Sequence, residues 1–141
     1  MVMEIKTKIL INATSEKVWT ILTDFKNYPQ WNPFIKSLTG DVKIGNTIKV
    51  EITPPKGKGM TFKPKVVRYK MNKELTWVGH LFFKGIFDGE HRFELIDHGN
   101  GTTTFIQNER FSGLLTGLLN VANTQKGFEL MNEKLKIMAE K

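Results

Sequence analysis

The thirty residues 112–141, SGLLTGLLNVANTQKGFELMNEKLKIMAEK, decide how the rest of the chain is read. Taken as a helix, they set Leu114, Leu118, Val121, Phe128, Met131, Leu135 and Met138 three, four or seven residues apart, which makes one apolar stripe. Asn120, Asn123, Lys126, Glu133, Lys134, Lys136 and Glu140 fall on the other side, so this helix is expected to lie on a surface with one face wet. Ser112 is its expected N-cap. Gly117 and Gly127 each cost about 1 kcal/mol against alanine inside a helix. Each therefore marks a break or a close packing contact, or, at Gly127, room for a molecule bound beneath the helix.

Such a stripe needs an apolar wall, and the preceding sequence supplies one. Met3, Ile5, Thr7, Ile9 and Ile11 alternate with Glu4, Lys6, Lys8 and Asn12, the period of a half-buried strand. Thr14 then caps a helix with Glu16 in its first turn and Val18, Leu22 and Phe25 on its inner side. The proline-rich stretch 28–34, YPQWNPF, suits one short helical turn. Six more strands are expected at 35–39, 47–53, 60–71, 75–83, 87–97 and 102–111. Between them stand turn residues such as Gly40-Asp41, Gly45-Asn46, Pro54-Pro55-Lys56-Gly57, Asn72-Lys73 and Gly99-Asn100-Gly101. The expected fold is α+β: a seven-stranded curved antiparallel sheet wrapped around a long C-terminal helix, with two short helices between strands 1 and 2.

A length of 141 residues suits a single domain, 1–141. No apolar run approaches the roughly 20 residues that span a bilayer, so a soluble chain without stable membrane insertion is expected. Residues 1–12 read as a strand rather than a secretory leader, and zero cysteines exclude disulfides, thiolate catalysis and cysteine metal sites. A cytoplasmic location is expected. The net charge of +7 is densest at Lys56, Lys58, Lys63, Lys65, Arg68, Lys70 and Lys73. A single-strand nucleic-acid surface would interleave aromatics with those bases on one face, but Phe62 falls on the parity opposite Lys63 and Lys65. The basic run reads as a solvated strand face, and no nucleic acid is expected.

Parity also picks out a candidate site. His91 shares its strand face with Phe87, Phe93 and Leu95, while Gln107 and Glu109 share theirs with Phe105 and Phe111. A hairpin turning about Gly99 sets His91 opposite Gln107, with Glu109 diagonal at about 5 to 8 Å between β-carbons. Three inward polar groups imply mutual hydrogen bonds, trapped water or a ligand. They either satisfy one another and fix the register, orient a polar group of an apolar ligand, or serve as base and partner in an aldol-type cyclisation, with His91 and Glu109 the candidate catalytic pair. Trp77 shares a face with Leu75, Gly79 and Leu81, so it is placed inward, with Gly79 leaving room beside it. Trp31, Pro33 and Phe34 are candidates for the pocket mouth, and Met60 and Phe62 for its entrance. Phe93 from the sheet and Leu118, Phe128 and Met131 from the helix complete the expected ligand-binding set. His80 and His98 fall on an outward position and in a turn. One inward histidine, no His-x-x-x-His and no carboxylate cluster argue for no metal; phosphate loops, nucleophile elbows and dinucleotide fingerprints are missing, so no cofactor is expected.

Over nearly its whole length the chain resembles the polyketide cyclase/dehydrase type 2 family of the START-like, birch-pollen-allergen-like (SRPBCC) superfamily. The resemblance rests on Val18-Trp19, Asp24-Phe25, Tyr28-Pro29, Trp31-Asn32-Pro33-Phe34, the Gly40 and Gly45 turns, and Met60-Thr61-Phe62-Lys63-Pro64. It continues through Leu75-Thr76-Trp77-Val78-Gly79, Phe87-Asp88-Gly89-Glu90-His91-Arg92-Phe93, Gly101-Thr102, Glu109-Arg110-Phe111-Ser112-Gly113-Leu114, Gly127-Phe128 and Met131-Asn132. It implies a helix-grip fold with a hydrophobic pocket. The expected function is binding of a hydrophobic small molecule, a lipid, isoprenoid or polyketide-like compound, by a monomer or homodimer. One alternative is a cofactor-free cyclase or aromatase using the polar cavity residues. The other is a protein-interaction or co-chaperone module working through the basic strand face.

Overall fold

The computed structural model describes residues 2–81, 85–114, 116–118 and 120–141. Alternation makes the first strand, β1 (Val2–Ile11), in which Ile5, Thr7 and Ile11 are buried between exposed Glu4, Lys6 and Lys8. Thr14 caps α1 (Ser15–Leu22) by accepting the Lys17 N–H, and a 3-10 turn (Phe25–Asn27) leads into α2 (Tyr28–Trp31). Tyr28 is fully buried and its hydroxyl donates to the Leu22 carbonyl, which ties these helices together.

The strands that follow are β2 (Ile35–Thr39), β3 (Lys49–Ile52), β4 (Met60–Phe62), β5 (Lys65–Lys70), β6 (Glu74–Leu81), β7 (Phe87–Asp97) and β8 (Thr103–Ser112). They form two antiparallel sheets, β1-β8-β7-β6-β5 and β2-β3-β4, so the described chain has eight strands in two sheets and not seven in one. The physical reason is Pro64, which sits inside the expected 60–71 strand and has no N–H to give a ladder. Its carbonyl still accepts from Ile48 N at 2.9 Å, and Thr47 bridges to Lys65, which links the two sheets at this junction.

The β7–β8 hairpin pairs His91 with Glu109 and Phe93 with Gln107, a register two residues away from the one expected. The last pair, Asp97 with Thr103, leaves 98–102 as the loop, so the turn centres on Asn100 rather than Gly99. His98 N closes it on Thr102 O at 3.2 Å.

The final helix also starts later than expected. Ser112 is the last residue of β8, paired with Val2 and Asp88, and cannot cap a helix. Gly113 then turns the chain at φ 111°, where a β-carbon would stand 2.6 Å from Ile86 O. After a 3-10 turn (Thr116–Leu118), Asn120 caps α3 (Val121–Ala139) by accepting the Asn123 N–H. Leu114 is consequently 82% exposed, outside the stripe, while Phe128, Met131 and Leu135 are buried as the spacing requires. α3 crosses β1 and is fastened there: Lys136 Nζ donates to Leu10 O at 2.8 Å and Asn12 N donates to Glu140 Oε2 at 2.8 Å. Of the alternatives for Gly127, close packing is the one observed, because a β-carbon there would lie 2.5 Å from Cδ1 of Phe34.

Candidate functional site

A cavity of about 580 Å³ lies where the two sheets diverge beneath the start of α3. The large sheet contributes Trp77, Gly79, Phe87, Gly89, His91, Glu109 and Phe111, all on one strand parity. Phe34, Ile35, Val50, Ile52, Met60, Phe62 and Pro64 close the opposite side, and Pro54, Gly57 and Lys58 come from the intervening loop. Asn120, Asn123 and Thr124 of the first helical turn complete it. Gly79 and Gly89 are direct cross-strand partners. With no side chain on either, Pro64 packs against the sheet at Gly79 and the Glu109 carboxylate lies directly over Gly89. Phe34 is aimed at the cavity by Asn32, whose Oδ1 accepts from Phe34 N at 3.0 Å and Ile35 N at 2.9 Å.

One corner is polar, and its hydrogen bonds form a connected chain. His91 Nδ1 lies 2.7 Å from Glu109 Oε1, and Nε2 lies 2.9 Å from Gln107 Oε1. Gln107 Nε2 donates to Asn132 Oδ1 at 2.8 Å and, more weakly, to Phe128 O at 3.4 Å. Asn132 Nδ2 donates to Thr7 Oγ1 at 2.9 Å, and that hydroxyl donates to Gln107 O at 2.6 Å. The ends of this chain are carbonyls, which only accept, so each amide orientation is dictated. Gln107 must turn its oxygen toward His91, and Nε2 of His91 therefore carries a proton. The other imidazole nitrogen and Glu109 Oε1 share one further proton between them.

The imidazole is held on its faces and edges as well. Trp77 stacks on it at 5.2 Å between centroids with planes 18° apart, and Phe93 and Phe128 approach at 4.8 and 5.1 Å. His91 is 4% exposed. Both its nitrogens are engaged, so its part is to position Glu109.

Of the residues singled out from sequence, Phe34, Met60, Phe62, Trp77, His91 and Glu109 meet at the cavity. Phe93, Gln107, Phe128 and Met131 are buried behind the lining. Trp31 is half-buried with its ring edge-on to Tyr28 at 5.4 Å, away from the lining. Leu118 sits in the 3-10 turn, and its side chain lies outside what is described. Sequence reasoning missed Gly89, the apolar side supplied by Ile35, Val50 and Ile52, and the Asn120–Thr124 turn. Parity had already set Phe87 and Phe111 inward, but the misplaced helix start hid the polar turn.

His80 Nδ1 meets Asp88 Oδ1 at 2.7 Å on the outer surface, and His98 Nε2 meets Thr104 Oγ1 at 2.7 Å beside the hairpin loop. Among the described residues no three histidine or carboxylate side chains converge as metal ligands. No helix among them is long and apolar enough to cross a membrane.

An antiparallel sheet and a C-terminal helix with an apolar cavity beside them define a helix-grip fold. The chain belongs to the family described as polyketide cyclase / dehydrase and lipid transport, whose profile matches residues 3–140. It is similar in structure to a START superfamily protein from Mycobacterium smegmatis, at TM-score 0.77 and 19% identity, over 97% of each chain. A hypothetical protein from Helicobacter pylori gives TM-score 0.80 at 16% identity, covering 97% of this chain and 88% of that one. The di-domain ARO/CYC StfQ from the steffimycin biosynthetic pathway gives 0.73 at 12% identity, covering 99% of this chain and 51% of the two-domain one. No curated protein matches the sequence.

Proposed function

We propose that the protein binds a hydrophobic small molecule, of the lipid, isoprenoid or polyketide-like kind, in the cavity between the sheets and the start of α3. The observation that carries this reading is the cavity itself: about 580 Å³, walled by aromatic and aliphatic side chains, with hydrogen-bonding groups confined to one corner and the mouth. Small-molecule sites typically have volumes of roughly 300 to 1,000 Å³ and this distribution of apolar wall and few polar groups. Burial at about 25 cal/mol per Å² of apolar surface supplies affinity, and the polar corner supplies orientation.

A cyclase-like reaction is the second reading, favoured by the carboxylate of Glu109 standing in the cavity wall, where a bound chain folded against it would offer a proton. Native mass spectrometry of the purified protein, with solvent extraction of whatever accompanies it, tests the binding reading and gives the oligomeric state in the same spectrum. A co-purifying apolar compound, or micromolar binding of apolar probes to the stripped protein, is the expected result. A protein that carries none and takes up none overturns it.

A further inference from the structure

The polar corner has a definite sense, and it selects the kind of group a guest presents. His91 Nε2 carries a proton because Gln107 faces it with its oxygen, an orientation imposed by Phe128 O and by Thr7 through Asn132. The second proton lies on the 2.7 Å line between His91 Nδ1 and Glu109 Oε1. Two arrangements satisfy that line: imidazolium with carboxylate, or imidazole with carboxylic acid. In both of them Glu109 Oε2 carries no proton. Among the described residues Oε2 has no hydrogen-bond partner, and Glu109 keeps 17% of its side chain exposed in the cavity wall, over the bare backbone of Gly89.

Oε2 is therefore an acceptor with free lone pairs in the wall of an apolar cavity, and His91 cannot reverse its role because both nitrogens are taken. Glu109 is also the one carboxyl group in the described lining. The hydroxyl and carboxamide groups nearer the mouth are partly used by the helix cap: Asn120 accepts from Asn123 N, and Thr124 Oγ1 donates to Asn120 O at 2.9 Å.

Resting on the binding reading above, we infer that Glu109 Oε2 makes the site selective for apolar molecules whose buried end bears a hydrogen-bond donor, a hydroxyl or phenol, and against those ending in a carboxylate. A donor at that end gains a bond to a strong acceptor; a carboxylate there opposes lone pairs to lone pairs and loses its own water in doing so.

Three probes of one shape test this: 2-naphthol, 2-methylnaphthalene and 2-naphthoate, titrated calorimetrically at neutral pH into the whole chain stripped of lipid. The expected order is 2-naphthol first, 2-methylnaphthalene next and 2-naphthoate last, with about tenfold or more between the extremes, the factor that a hydrogen bond to a charged or strong acceptor supports. Glu109→Met removes the acceptor and should collapse the preference for 2-naphthol over 2-methylnaphthalene. Glu109→Gln should keep it, because its amide donates to His91 Nδ1 and leaves its oxygen facing the guest. Equal binding of all three by the unsubstituted protein, or 2-naphthoate binding best, overturns the selectivity while the binding reading stands. Binding of none overturns the selectivity, and it overturns the binding reading too when the native mass spectrum also shows no co-purifying compound. The ranking in the unsubstituted protein decides the matter even if a variant fails to fold.

Discussion

Gly127 of α3 and Phe34 at the entrance to β2 compete for one space: a β-carbon on the glycine would lie 2.5 Å from Cδ1 and 2.8 Å from Cε1 of the phenylalanine ring. Phe34 is 2% exposed and packs edge-on to Phe128 at 5.3 Å, so on that side it has little room to yield. Gly127→Ala gains about 1 kcal/mol of helix propensity and loses about 1 to 3 kcal/mol to overpacking. A net loss of up to about 2 kcal/mol is expected in urea unfolding, recovered in large part by the double variant Gly127→Ala with Phe34→Leu. A single variant more stable than the unsubstituted chain would show that the ring moves freely.

Gly89 holds its place for a different reason. A β-carbon there would collide with Glu109 Oε2, so Gly89→Ala should push the carboxylate off its place beside His91 and lower the thermal midpoint by the share of stability their 2.7 Å hydrogen bond carries, about 1 to 3 kcal/mol. The expected consequence is a several-fold loss of 2-naphthol affinity with that of 2-methylnaphthalene little altered, read by calorimetry. Unchanged 2-naphthol binding would mean that the carboxylate has another productive position.

The buried chain from Thr7 to Glu109 also carries stability. Thr7→Val keeps the shape and removes the hydroxyl, leaving Asn132 Nδ2 without its acceptor. A loss of about 1 to 3 kcal/mol is expected, seen as a lower urea midpoint at unchanged slope. A midpoint equal to that of the unsubstituted chain would indicate that water replaces the hydroxyl.

Alkaline pH should find Tyr28. Its burial first, and the neighbouring Asp24 carboxylate second, push its phenol far above the ordinary range. The unfolded chain releases that proton near pH ~10 while the folded chain keeps it, so the unfolded state binds fewer protons and stability falls as pH rises. The loss is absent below about pH 10 and grows by up to about 1.4 kcal/mol per unit above it. Tyr28→Phe should cost about 1 kcal/mol at neutral pH and remove this part of the alkaline slope in urea midpoints taken across the range. An identical slope in the variant would assign it to other groups.

The fold was legible in the sequence where a period runs unbroken. β1, β7 and β8 alternate cleanly, α1 begins at a visible cap, and Phe128, Met131 and Leu135 keep helical spacing, so each of these elements lies close to where it was expected. The reading failed where one residue decides. Pro64 withholds a single N–H and divides an expected strand, Gly113 admits a turn that the leucines around it conceal, and Asn100 rather than Gly99 centres a loop in which three turn-forming residues stand in a row. For the site, parity brought His91, Gln107 and Glu109 to one face, but their partnership depends on the two-residue register that the loop sets. The roles within it depend on the Phe128 carbonyl, 21 residues from Gln107, and on the Thr7 hydroxyl, 100 residues from it, which no local pattern announces.

Of the three tryptophans, Trp19 lies edge-on to Tyr69, Trp31 edge-on to Tyr28, and Trp77 alone borders the cavity, flat against His91. An entering guest trades water for hydrocarbon along that indole and leaves the other two undisturbed. The emission colour of the unlabelled chain thus becomes a direct gauge of occupancy, and whole cell extracts can be fractionated against it without knowing beforehand what to look for.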